Sequence, residues 1–154
     1  MVVRDCRFED TDAGIRLKSG RDRGGLVEDI TYENLTMKHV KIPILVTSYY
    51  PEIPEYPEND PAMPITPKTP IWRHVRISDV TAEDSLTGAE FIGLAEMPIQ
   101  DFVLTNVHVS GLNPMRIIRA QGLQFVNSEV KATSGKPVQI YDSTVEGLND
   151  AAQR

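Results

Sequence analysis

Cysteine is almost missing from this chain. Cys6 stands alone, which excludes an intrachain disulfide and a thiolate-built zinc cage. Histidine is nearly as sparse: His39, His74 and His108 share no ligand spacing, so each reads as an exposed or hydrogen-bonded strand residue. Neither residue type points to a metal or a cofactor. No apolar run approaches the ~18 residues of a membrane span, so no membrane partner is expected. Charges interrupt the first residues, Met1-Val-Val-Arg-Asp-Cys-Arg-Phe8, at once, and they do not read as a signal peptide. Basic residues are in deficit, 16 against 22 acidic, for a net charge of −6. With no basic run to offset that balance, nucleic acid is not an expected partner either.

A recurrent pattern fills the chain instead. It runs apolar–x–apolar–x–(Asn or Asp)–y–x–apolar, with y usually apolar. Copies are centred on Asp5, Asn34, Asp79, Asn106, Asn127 and Asp142, spaced 29, 45, 27, 21 and 15 residues apart. Most of these intervals fall in the range of solenoid repeats. The first copy begins at once, as a cut through a repetitive array would leave it. Alternation puts apolar side chains on one face of a short strand. The Asn or Asp then breaks the alternation; both residues tolerate left-handed backbone and suit a bend, and stacked they can form a hydrogen-bonded ladder. One such coil cannot bury its apolar face, but a pile of coils encloses a continuous core. The expected fold is therefore all-β, a parallel β-helix. A β-sandwich would share the short strands without requiring the repeated bend.

With 154 residues, 40% of them hydrophobic, the chain needs only one domain. We expect it over 1–147, with 148–154 a frayed or short helical tail. Seven of the eleven prolines (Pro51, Pro54, Pro57, Pro61, Pro64, Pro67, Pro70) lie in the longest interval. That density opposes sheet pairing and predicts a loop over about 48–71. Tyr49, Tyr50 and Tyr56 could offer sugar-stacking faces there, or the loop could be an exposed spacer. Trp72 opens the next coil as core or rim packing. Ala89–Ile99 reads as a strand, a turn and the lead-in to another coil.

The stretch Gly14-Ile-Arg-Leu-Lys-Ser-Gly-Arg-Asp-Arg-Gly-Gly25 carries the candidate site. In a strand, Ile15 and Leu17 share one face and Arg16 and Lys18 the other. Two cations so placed can converge on one carboxylate, the arginine as a planar fork and the lysine as a point charge. A plain amphipathic strand with solvated cations would give the same pattern. With Arg21 and Arg23 the pair forms the densest basic cluster in the chain, which suits a small anionic ligand. The flanking glycines permit sharp turns or the close approach of a chain-like ligand.

Asp10-Thr-Asp-Ala-Gly-Ile-Arg-Leu-Lys-Ser-Gly-Arg-Asp-Arg-Gly-Gly-Leu-Val-Glu-Asp-Ile-Thr-Tyr-Glu-Asn-Leu-Thr-Met37 resembles the polygalacturonase family, glycoside hydrolase family 28. Arg16-Leu-Lys18 matches the family's R-I-K motif with Leu for Ile. Val27-Glu-Asp-Ile30, Ile42-Pro-Ile44 and Gly93-Leu-Ala-Glu-Met-Pro-Ile99 also resemble it. The resemblance implies a right-handed parallel β-helix, cleavage of galacturonate linkages with inversion, and a secreted or periplasmic parent enzyme. It implies that Arg16 and Lys18 bind substrate by holding the sugar carboxylate, with polygalacturonate or a related acidic polysaccharide as partner. Inversion needs an acid and a base carboxylate across the ring. The family's N-T-D, D-D and H-G motifs, which lie ahead of R-I-K, are absent from these residues. No catalytic residue carries over, and the chain resembles the C-terminal part of such an enzyme. Glu9, Asp10, Asp12 and Asp22 read as turn residues and cation partners. A first coil without a cap is expected to self-associate through Met1–Phe8.

Overall fold

The structure is a computed structural model describing residues 1–148; the tail expected over 148–154 lies, but for Leu148, outside the described residues. In chain order the strands are β1 (Val2–Glu9), β2 (Ala13–Lys18), β3 (Leu26–Lys38), β4 (Ile42–Thr47), β5 (Ile71–Thr87), β6 (Glu90–Ile92) and β7 (Ile99–Asn113). After these come β8 (Met115–Ile118), β9 (Ala120–Gln121), β10 (Leu123–Val126), β11 (Glu129–Ala132), β12 (Val138–Tyr141) and β13 (Val145–Glu146). Their pairing makes two sheets. The long one has the order β1-β3-β5-β7-β10-β13, with β9 and β11 also on β7, and the short one β2-β4-β6-β8-β12. Every pair is parallel. Successive turns of chain add a strand to one sheet and then to the other, as a parallel β-helix requires.

All six Asn and Asp residues of the repeat have positive φ: Asp5 57°, Asn34 55°, Asp79 53°, Asn106 55°, Asn127 46° and Asp142 44°. At Asp5, Asn34 and Asp79 the ladder pairing skips a step, and the chain bends without leaving the sheet. Amide and acid alternate in the stack: Asn34 Nδ2 donates to Asp5 Oδ1 at 2.6 Å, and Asn106 Nδ2 to Asp79 Oδ1 at 2.7 Å. A carboxylate can only accept and an amide can donate, so the alternation satisfies both.

Each long strand bends more than once. Asp10, His39 and Asp84 are left-handed, as are Asp29, His74 and Asp101, each five residues from a repeat Asx and within its strand or one residue past the end of it. The sequence pattern identifies only the middle bend, because histidine occupies the others in two coils. His39 lies within 3.4 Å of Asp10 and 3.7 Å of Asp84, and His74 within 3.9 Å of Asp29 and 3.6 Å of Asp101. These exposed histidines are bend residues. His108 Nε2 is 3.0 Å from Asn106 Oδ1. The sixth copy of the pattern is out of phase. Its first strand, β12, belongs to the short sheet and pairs with β8, which explains the short final interval.

The interior lies between the sheets. One inner column of the short sheet runs Leu17, Val46, Phe91, Ile117, Ile140, and the long sheet contributes Ile30, Val75 and Phe102 in register. Phe91 and Phe102 meet edge to face across the interior, with centroids 6.0 Å apart. Trp72 is buried as expected, and its Nε1 donates to Ser48 Oγ at 2.8 Å. The Pro-rich loop runs from the end of β4 to the start of β5, with one 3-10 turn at Pro57–Asn59. Segment 89–99 forms β6, a turn closed by mutual Leu94–Met97 backbone bonds of 3.2 and 3.3 Å, and the start of β7.

Candidate functional site

β2 is amphipathic as its alternation demands: Ile15 is buried and Leu17 packs on the interior, while Arg16 and Lys18 are exposed on the outer face. Parallel pairing extends these positions into outer columns. Arg16 stands beside Leu45, then Glu90, Arg116 and Gln139; Lys18 stands beside Thr47, then Ile92, Ile118 and Tyr141. Among the described residues Arg16 has no ion pair and no side-chain hydrogen bond. Lys18 Nζ sits 4.2 Å from the centre of the Tyr50 ring, and the Arg23 guanidinium 4.4 Å from the same ring. Such contacts hold a cation in place while leaving its charge uncompensated.

The basic cluster is smaller than the sequence implies. Arg21 is turned to the Pro-rich loop, where Nη1 donates to Asp60 Oδ2 at 2.6 Å and Nε to Glu96 Oε1 at 2.7 Å. It is neutralised, so it is no part of an anion site. Asp12 carries a 2.6 Å ion pair with Lys41, whose hydrogen bond, more than Arg16, lowers its carboxyl pKa. That suits a turn residue and not a general acid. The glycines also serve the loop. A Cβ on Gly20 would lie 2.9 Å from the Tyr50 carbonyl oxygen, and one on Gly24, at φ +66°, 3.0 Å from that of Pro67. The loop's own backbone is what approaches them closely.

Three tyrosines were candidate stacking faces. Tyr49 is half-buried, with its hydroxyl donating to Asp60 Oδ2 at 2.8 Å; the Tyr50 ring faces two cations; only Tyr56 is well exposed. Sequence reasoning missed Arg119 altogether. This buried arginine donates to the carbonyls of Pro57, Glu58 and Asp60 at 3.1, 2.9 and 2.7 Å. Its signal was a charge directly after the apolar pair Ile117-Ile118 and before Ala120, where burial would require a dedicated partner.

Arg21, Tyr49, Asp60, Glu96 and Arg119 thus fasten the loop down, and the fastening has a pH window. Burial raises Glu96 and Asp60, but hydrogen bonds from Arg21 to Glu96 and from Tyr49 and Arg21 to Asp60 outweigh it, and both end below the ordinary carboxylate range. Carboxylates lowered on folding stabilise above their unfolded pKa values, and the stabilisation is lost as pH falls through the folded ones. Burial and the Asp60 hydrogen bond push Tyr49 up to about 12. Its contribution holds below its unfolded value near 10 and is lost as pH rises through about 12. Loop amides should stay protected from hydrogen exchange at neutral pH and lose protection below about pH 4. The alkaline absorbance lost in a Tyr49→Phe variant should be that of a tyrosinate forming near pH 12.

Stacked parallel coils in two sheets define the class: a parallel β-helix protein, here with an exposed cationic pair on β2. This chain belongs to Glycosyl hydrolases family 28, whose family model matches residues 1–143. It is 26% identical over 146 residues to a polygalacturonase of Chamaecyparis obtusa, covering 95% of this chain and 23% of that protein. Identity to a probable polygalacturonase of Vitis vinifera is 28% over 112 residues, covering 70% and 22%. To an endo-polygalacturonase of Pectobacterium parmentieri it is 30% over 83 residues, covering 54% and 18%. The chain therefore spans less than a quarter of the length of these relatives. No solved structure matches it. Among the described residues no helix is long and apolar enough to cross a membrane.

Proposed function

We propose that this chain is the carboxylate-binding part of a pectin-degrading, polygalacturonase-like glycoside hydrolase. Arg16 and Lys18 take the uronate carboxylate of the sugar beside the cleaved bond, and acid and base carboxylates lie on coils outside residues 1–154. The observation that carries this reading is the exposed pair on β2, with Arg16 unengaged among the described residues and Lys18 steadied over Tyr50. Side chains two residues apart on a strand stand about 7 Å from each other, close enough for both to reach one sugar acid. Family membership and relatives named as polygalacturonases supply the sugar. A polymer-degrading enzyme of this kind works outside the cell, where pectin is.

Binding without cleavage is the activity expected of the isolated chain, because the family's acid and base motifs are absent from it and Asp12, close enough to feel the Arg16 charge, is engaged by Lys41. The purified chain should be retained on immobilised polygalacturonate, and Arg16→Ala/Lys18→Ala should lose retention by tenfold or more. Added salt should weaken retention as it screens the pair. No retention of the unmutated chain would leave a structural solenoid. Release of new reducing ends by the chain alone would show that it holds a complete catalytic set.

The β1 end favours association. Met1 and Val2 are 71% and 60% exposed, and β1 and β2 are terminal strands of their sheets among the described residues. Sedimentation should show self-association that rises with concentration and falls when Val2 is replaced by lysine; a strict monomer contradicts it.

A further inference from the structure

Outer columns of a solvated sheet should be exposed at every rung, yet here they are exposed at β2 and buried next door. Leu45, Thr47, Glu90, Ile92 and Ile118 all face outward by their pairing with Arg16 and Lys18, and none is more than 7% exposed. Leu45, Ile92, Leu94 and Ile118 are buried apolar residues outside the interior cluster, so they form a second apolar layer on the outside of the short sheet. The Pro-rich loop covers it. Pro57 is buried, Arg119 on the far side of β8 binds three of the loop's carbonyls, and Arg21 on the near side binds Asp60 and the Pro61 carbonyl. The cover starts against the cationic pair itself, because Tyr50, three residues beyond β4, is the ring under Lys18.

We infer that segment 48–70 is a wall that ends the glycan site on the β4 side, so that the sugar held by Arg16 and Lys18 is at or next to one end of its chain. A polymer continuing past the pair in that direction would have to displace the loop, breaking the Arg21 and Arg119 contacts and uncovering the apolar layer. The inference rests on the reading of Arg16 and Lys18 as a carboxylate site. It adds that the site selects chain ends, with the loop's two arginine fastenings as positioning residues.

The test is binding stoichiometry against polygalacturonates of increasing length, read by sedimentation of the complex. End selection predicts one copy of the protein per glycan chain at every length, whereas an open groove predicts a number that rises with length. An Arg21→Ala/Arg119→Ala variant, with the loop released, should change from the first behaviour to the second. Should that variant not fold, the series with the unmutated protein decides alone. Copies that rise with length while binding still depends on Arg16 and Lys18 would overturn the wall and leave the site standing. Binding that is absent, or indifferent to Arg16→Ala/Lys18→Ala, would remove the site and the wall with it.

Discussion

Phe91→Ala is expected to destabilise the chain by about 3–5 kcal/mol, the range for truncating a fully buried phenylalanine. Phe91 is inaccessible to solvent and sits mid-column in the short sheet, between Val46 and Ile117. Its ring meets Phe102 of the long sheet edge to face, so the two sheets touch through this pair. The surrounding coils cannot collapse into the hole, because their spacing is set by the backbone ladder on both sides. At roughly 2–4 °C per kcal/mol for a domain of this size, the melting temperature should fall by about 6–20 °C. Phe91→Leu should lose less than half as much. A double-mutant cycle with Phe102→Ala should return a coupling of about 0.5–1.5 kcal/mol beyond the area terms. In a stack whose stability is a sum of neighbour contacts, a break at the middle rung should also lower the cooperativity of unfolding. A loss under 1 kcal/mol with an unchanged transition would mean that the sheets are not joined through these rings.

Legibility in the sequence follows how local each device is. The bend at Asn34 or Asp79 is a property of one residue and its alternating neighbours, so all six positions were readable, and with them the stacked architecture. The loop was equally plain, since proline at that density opposes sheet pairing; in the structure it joins Thr47, the last residue of β4, to Ile71, the first of β5. The exposure of Arg16 and Lys18 followed from the alternation of β2. Long-range pairings were not readable. Arg21 looked like a third member of the cationic cluster because its partners, Asp60 and Glu96, are 39 and 75 residues away. The bends at His39 and His74 were hidden because the repeat pattern admits only Asn or Asp at a bend, although histidine also tolerates left-handed backbone and the five-residue step from Asn34 and Asp79 was there to be found. Nothing in the spacing of Leu45, Ile92 and Ile118 shows that an outer face is covered, since burial of that face depends on where a distant loop lies down.

Arg119→Ala should free the loop while leaving the stacked coils folded, and it is the sharper test of what the loop does. Arg119 holds three carbonyls with one planar group, all within 3.1 Å and largely out of water. Hydrogen bonds that involve a charged group contribute about 1.5–3 kcal/mol each. The sum is not recovered on mutation, because a released loop rehydrates its carbonyls and only the docking equilibrium is lost. A shift of about 2–4 kcal/mol in that equilibrium is expected, so cleavage within Glu52–Glu58 by a glutamate-specific protease should rise roughly thirty-fold to several-hundred-fold. Arg119→Lys should fall between, since an ammonium carries charge but cannot fork across three acceptors in a plane. Melting of the coils should move less than for Phe91→Ala, because the interior cluster does not include Arg119. Equal cleavage of the variant and the unmutated chain would show that the loop is held by its apolar underside alone, and the arginine would then be a passenger of the fold and no fastening of it.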